Sequence, residues 1–173
     1  MAPFKRVYIT GFLGCGKTTA GKKLASALNF SFIDLDHEIE RKEHRPIKEI
    51  FATSGEDYFR KAESASLHDL DILSDTVIST GGGTPCYGDN LHYMKDTGVL
   101  VYLKMTPQQL KIRLGDRTGK RPLLKNLNES EMESYISEKL KEREPFYEQA
   151  TIIVDGISLD IRSLSEKVLS FFI

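Results

Sequence analysis

Near its start the chain reads Gly11-Phe12-Leu13-Gly14-Cys15-Gly16-Lys17-Thr18, two glycines with four residues between them and then Lys-Thr. This is the Walker A pattern. Its glycines let the backbone fold tightly enough for several N–H groups to converge on phosphate oxygens, and a following helix adds the positive end of its dipole. Lys17 supplies a point charge for the outer phosphates, and Thr18 offers a hydroxyl to Mg²⁺. The flanks suit the motif, with the apolar run Val7-Tyr8-Ile9-Thr10 before it and a helical pattern from about Lys17 to Leu28 after it. Residues Gly14, Cys15, Gly16, Lys17, Thr18 and Thr19 are therefore expected to hold ATP. A P-loop does not name the group that receives the phosphate.

Three further features bear on the acceptor. Asp34 and Asp36 stand at the carboxyl end of the second apolar run, Ser31-Phe32-Ile33-Asp34. In a doubly wound sheet that end faces the ligand crevice. If extended geometry persists through Leu35, both carboxylates point to one side, one serving a hydrated metal and the other a substrate hydroxyl. The competing reading is that Asp36 caps the helix that begins at His37. Gly81-Gly82-Gly83 follows the third run, Thr76-Val77-Ile78-Ser79, and removes all side chains where a ligand could approach the backbone. Arg60 and Arg143 can clamp a carboxylate, because the planar guanidinium presents a fork of donors. Each also reads as an ordinary charge on a helix surface, and Glu63 is spaced to pair with Arg60.

The elements that must position these groups alternate. Val99–Leu103 and Thr151–Val154 read as a fourth and fifth strand. A helical stretch over about 36–74 is interrupted near Arg45-Pro46 and Thr53-Ser54-Gly55, and a last helix carries Ile161, Leu164, Val168 and Leu169. Nearly continuous apolar strands separated by helices predict an α/β fold, a three-layer αβα sandwich around a five-stranded parallel sheet. The segment Gly115 to Leu124, rich in cations, glycine and proline, reads as a mobile loop, with a plain surface connection as the alternative. One domain over 1–173 suits the length. The formal net charge of −1 favours neither nucleic acid nor an anionic membrane as partner. Cys15 and Cys86 have no second Cys or His at metal-ligand spacing, which reads against zinc and fits a reducing, cytoplasmic compartment. The four histidines read as surface or satisfied residues. No signal-like apolar segment precedes the first strand.

Taken together, Gly11–Thr18, Phe32-Ile33-Asp34-Leu35-Asp36, Gly55-Glu56-Asp57-Tyr58-Phe59-Arg60, Val77 to Gly83, Arg121-Pro122-Leu123-Leu124 and Arg143-Glu144-Pro145-Phe146-Tyr147 resemble the shikimate kinases across essentially the whole chain. The resemblance implies a fold like that of nucleoside monophosphate kinases. A helical substrate-binding region would cover about 35–63 and a lid about 115–125. It implies ATP-dependent phosphorylation of the 3-hydroxyl of shikimate, in a monomer binding small molecules only. Asp36, Arg60, Gly82 and Arg143, beside Gly81 and Gly83, would hold shikimate. Thr18 would bind Mg²⁺ with Asp34 behind it, and Phe51, Phe59, Pro122 and Leu123 would line the site. Lys17, Asp36 and Arg121 would be catalytic, Arg121 reaching the transferring phosphate and Arg117 lying on the adenine. The chain departs after the fifth strand, where many relatives carry an adenine-contacting arginine and this one has Asp155-Gly156-Ile157-Ser158; the lid is also short between Arg117 and Arg121. Alternatives are a kinase of gluconate or another polyol acid, a kinase of a nucleoside monophosphate, and a non-catalytic ATP-binding module.

Overall fold

A computed structural model describes residues 5–115 and 127–173. Five parallel strands, β1 Arg6–Thr10, β2 Ser31–Asp34, β3 Thr76–Ser79, β4 Val99–Lys104 and β5 Ile152–Asp155, form one sheet in the order β2-β3-β1-β4-β5. The expected three-layer α/β architecture is present. The helices among the described residues are α1 Lys17–Leu28, α2 Leu35–Glu43, α3 Ile47–His68, α4 Asn90–Thr97, α5 Pro107–Gly115, α6 Glu129–Tyr147 and α7 Ile161–Ser170. None of them is long and apolar enough to cross a membrane.

Both faces of the sheet are covered, which is why its strands read as unbroken apolar runs. Val7 and Ile9 of β1 join α1, α5, α6 and α7 in one core, and Tyr8 between them joins α2, α3 and α4 in the other. Successive side chains of a strand leave on opposite faces, so one apolar run supplies both cores.

The two breaks expected in the long helical stretch are present, each for a local reason. His44 ends α2 in the left-handed region with φ 53°, and Pro46 precedes α3. Gly55, with φ 82° and ψ 175°, kinks α3 internally, a conformation that a side chain would strain. His68 stacks on Tyr93 with its side chain 41% exposed, and its Nε2 lies 4.0 Å from Asp89.

Strand order positions the site. Asp34 of β2 pairs with Ser79 of β3, and Ile9 of β1 pairs with Ser79 from the other side. The segments leaving β1, β2 and β3, which carry the glycine loop, the two aspartates and the glycine triplet, therefore emerge side by side. Thr80 ties two of them together: its N–H and hydroxyl both donate to Ile9 O, at 3.1 and 3.0 Å.

Candidate active site

The glycine loop closes on itself. Gly14 and Gly16 have φ of 82° and 94°, and Gly16 is the N-cap of α1 with no side-chain cap, so no capping side chain occupies the first N–H groups of α1. Lys17 Nζ folds back to donate to Gly11 O at 2.9 Å and Phe12 O at 3.1 Å. Cys15 is buried, and its N–H donates to Phe12 O at 3.2 Å, so this amide is engaged within the loop. Thr18 Oγ1 donates to Asp34 Oδ2 at 2.8 Å.

The two aspartates do not share the geometry their spacing suggested. Extended backbone stops at Asp34, because α2 begins at Leu35. The helix cap is Asp34, whose Oδ1 accepts from His37 N at 3.4 Å, and Asp36 sits in the first turn of α2. This corrects the capping alternative for Asp36. Asp36 turns inward, with Oδ1 3.1 Å from the point a Cβ on Gly81 would occupy. Burial pushes its carboxyl up to about 6; the charge of Asp34 adds to the shift, Lys17 opposes it, and Glu63 and Glu40 add further. Lys17, Thr18, Thr19, Asp34, Asp36, Gly81 and Gly82 line one cleft of about 150 Å³.

The glycine triplet is where the arginines converge. A Cβ on Gly82 would lie 3.3 Å from Arg143 Nη1 and 3.5 Å from both Gly11 O and Leu13 N, and one on Gly83 would lie 2.7 Å from Arg60 Nη2. Arg60 and Arg143, ambiguous in the sequence, are thus drawn in from α3 and α6 to the same turn. The Arg60 side chain is only 14% exposed, and its Nη1 donates to Glu63 Oε2 at 2.8 Å, the pairing that the spacing allowed. Phe59 is buried, and Phe51 lies against it with ring centroids 4.6 Å apart. Arg117, Arg121, Pro122 and Leu123, with residues 116–125 of the expected lid, lie outside the described residues.

Two contributors, Tyr147 and Arg113, were given no role by the sequence reading, and a third, Glu63, was read only as a partner for Arg60. Glu63 is a buried carboxylate that also accepts from Thr84 Oγ1 at 2.7 Å. The Tyr147 hydroxyl donates to Gly82 O; its place four residues after Arg143 on one helix put both on the same face, a usable signal. Arg113 of α5 has Nη2 3.1 Å from the point a Cβ on Gly16 would occupy. With Cys15, Thr19, Lys23, Gly156 and Ile157 it lines a second cavity of about 220 Å³ beside the loop. Size alone does not identify the site. A groove of about 660 Å³ lies between α6 and the ends of β4 and β5, but its Lys104 is already paired with Glu148 at 2.6 Å and Glu144 at 3.4 Å.

A family model described as Shikimate kinase matches residues 13–172. A shikimate kinase of Parabacteroides distasonis is 41% identical over 169 residues, covering 95% of this chain and 98% of the relative. The solved shikimate kinase of Bacteroides thetaiotaomicron superposes with a TM-score of 0.89 at 38% identity, covering 97% of this chain and 98% of its own. A shikimate kinase of Acinetobacter baumannii, solved in complex with shikimate, gives a TM-score of 0.83 at 34% identity, covering 98% and 93%.

Proposed function

The chain belongs to the shikimate kinase family, and from that membership we infer how its own residues divide the labour of the reaction. The enzyme transfers a phosphoryl group from its co-substrate ATP to the 3-hydroxyl of shikimate, giving ADP and shikimate 3-phosphate on the route to chorismate and the aromatic amino acids. The observation that carries the division is the meeting at Gly82, where the phosphate loop lies on one side and Arg143 on the other.

On the donor side, the N–H groups of the loop and the start of α1 receive the phosphates. Lys17 exchanges the carbonyl oxygens of Gly11 and Phe12 for phosphate oxygens. The base enters the cavity beside Arg113, Gly156 and Ile157, with Arg117 of the lid across it. Thr18 and Asp34 suit Mg²⁺, since a hydroxyl and a carboxylate in contact form a hard oxygen pair at the phosphate end. When bound there, Mg²⁺ neutralises charge on the phosphates being separated.

On the acceptor side, Arg60 and Arg143 bind the shikimate carboxylate, the backbone of Gly81–Gly83 admits the ring, and Phe51, Phe59, Pro122 and Leu123 cover its apolar side. Asp36 orients the 3-hydroxyl and accepts its proton late in transfer. The transition state of phosphoryl transfer is loose, so orientation and charge matter more than base strength. Arg121 brings the last positive charge when the lid over 115–125 closes and excludes water. The whole of 1–173 acts as one kinase domain with its substrate region at about 35–63, working as a cytoplasmic monomer with neither nucleic acid nor membrane as partner.

A coupled ADP-release assay on shikimate, gluconate and AMP tests this reading. Shikimate should stimulate turnover strongly and the other two should not; a larger response to AMP would remove the acceptor assignment while leaving the fold intact.

A further inference from the structure

Arg60 is held by more than its two carboxylate neighbours. It donates three hydrogen bonds: Nη1 to Glu63 Oε2 at 2.8 Å, and Nε and Nη2 to Glu56 Oε1 at 3.3 Å each. Of the five N–H donors of a guanidinium, one on each terminal nitrogen is left for a ligand. The pair with Glu56 is long, and Glu56 is 52% exposed, so by itself it holds the arginine weakly. Carboxylates at the edge of a guanidinium also leave its tilt poorly defined, and each one offsets part of the charge a ligand needs.

The Phe59 ring centre lies 5.1 Å from Arg60 Cζ, and Tyr87 supplies the closer constraint. It leaves the short 3-10 turn Thr84–Cys86 with extended backbone, φ −124° and ψ 142°. Its ring centre lies 3.9 Å from Arg60 Cζ. Its hydroxyl donates to Glu56 Oε1 at 3.0 Å, the same oxygen that Arg60 uses, so Tyr87, Glu56 and Arg60 form a closed triangle. That bond is also the first cause holding the Glu56 carboxyl below its usual range. On Gly83 no side chain contests the space, since a Cβ there would lie within 2.7 to 3.0 Å of the guanidinium. An aromatic face orients a cation without carrying a formal charge of its own.

We propose that Tyr87 is a positioning residue for substrate recognition: its ring sets the plane of the Arg60 guanidinium so that the two remaining N–H groups meet the acceptor's carboxylate as a fork. The proposal rests on the reading that Arg60 binds that carboxylate. Tyr87 touches neither the reacting hydroxyl nor ATP in this arrangement, so its effect belongs in the Michaelis constant for shikimate and not in turnover.

Full-length Tyr87→Leu, Tyr87→Phe and Arg60→Lys enzymes, assayed against shikimate and ATP separately and melted in parallel, test this. Tyr87→Leu should raise KM for shikimate about five- to tenfold, as expected for a lost cation–π contact. Its kcat, KM for ATP and melting temperature should stay near the unchanged enzyme's. Tyr87→Phe, which keeps the ring face, should recover most of the loss. Should Tyr87→Leu fail to fold, Tyr87→Met carries the same comparison. An unchanged KM for shikimate in Tyr87→Leu, with a raised one in Arg60→Lys, overturns the role of Tyr87 and leaves the arginine clamp standing. An unchanged KM in Arg60→Lys overturns the clamp and the inference together. Parallel losses in kcat, in KM for ATP and in melting temperature show a merely structural tyrosine and also overturn it.

Discussion

In the phosphate cradle the groups assigned to the nucleotide's phosphates come largely from one run, Gly14–Thr19, with Arg121 of the lid added from elsewhere, and much of that run acts through its backbone. On the acceptor side, Asp36 comes from α2, Arg60 from α3, the glycine triplet from the turn after β3, and Arg143 from α6. The cradle needs only a tight turn and a helix start, both set by neighbours in sequence. The acceptor side needs four elements packed in register, and its cations are aimed by contacts with residues far away in the chain. A backbone site tolerates many side chains but few changes at glycine; a side-chain site depends on the individual groups and on whatever holds them.

The sharpest break in this comparison runs between Asp34 and Asp36. Asp36→Asn should cut turnover by about 10²- to 10⁴-fold, the usual worth of a positioned proton acceptor, with an unchanged Mg²⁺ requirement. Asp34→Asn should raise the Mg²⁺ concentration needed for half-maximal activity and leave the fold intact, because Asn caps α2 about as well as Asp. Metal titration of both variants checks this; equal responses would merge two residues that the structure separates.

A smaller effect separates the glycines. Gly83→Ala places a methyl group 2.7 Å from Arg60 Nη2, so the arginine must move. Shikimate affinity should fall by about 1.5–3 kcal/mol, the usual worth of a hydrogen bond to a charged group, while ATP affinity holds. Gly16→Ala should do the reverse, since Gly16 has φ 94° in the cradle. Calorimetry with each ligand separates the two halves.

The smallest effect concerns stability. The Asp36 carboxyl lies at about 6 in the folded chain against an ordinary 3.8, so the folded state binds that proton more tightly. The contribution of Asp36 to stability is therefore greatest below pH 4 and declines as pH rises towards 6. Asp36→Asn removes the buried charge, and at pH 8 it should be more stable than the unchanged enzyme by about 1–2 kcal/mol, an advantage that closes towards pH 4. Thermal melts across that range check the sign. The same substitution would then cost activity and add stability, as expected where a carboxylate is kept in place for chemistry.

Much of this molecule was determined by sequence alone. Alternating apolar runs and helical patterns implied the parallel sheet, because strands buried on both faces leave no polar alternation. Gly11–Thr18 implied the phosphate site, because a backbone cradle is a local structure. The acceptor candidates were legible one by one, but only the resemblance joined them into a set with roles, and local reasoning about them misjudged the cap: spacing could not tell whether the chain stayed extended past Asp34, and helix α2 begins one residue too early for that. The surface-charge reading of Arg60 and Arg143 fell only when the sheet order brought the ends of β1, β2 and β3 together, with α3 and α6 alongside. The aim of a long cation is set by what packs against it. For Arg60 that is Glu63 three residues on, which sequence could suggest, and Gly83 and Tyr87 more than twenty residues away, which only the folded chain could supply.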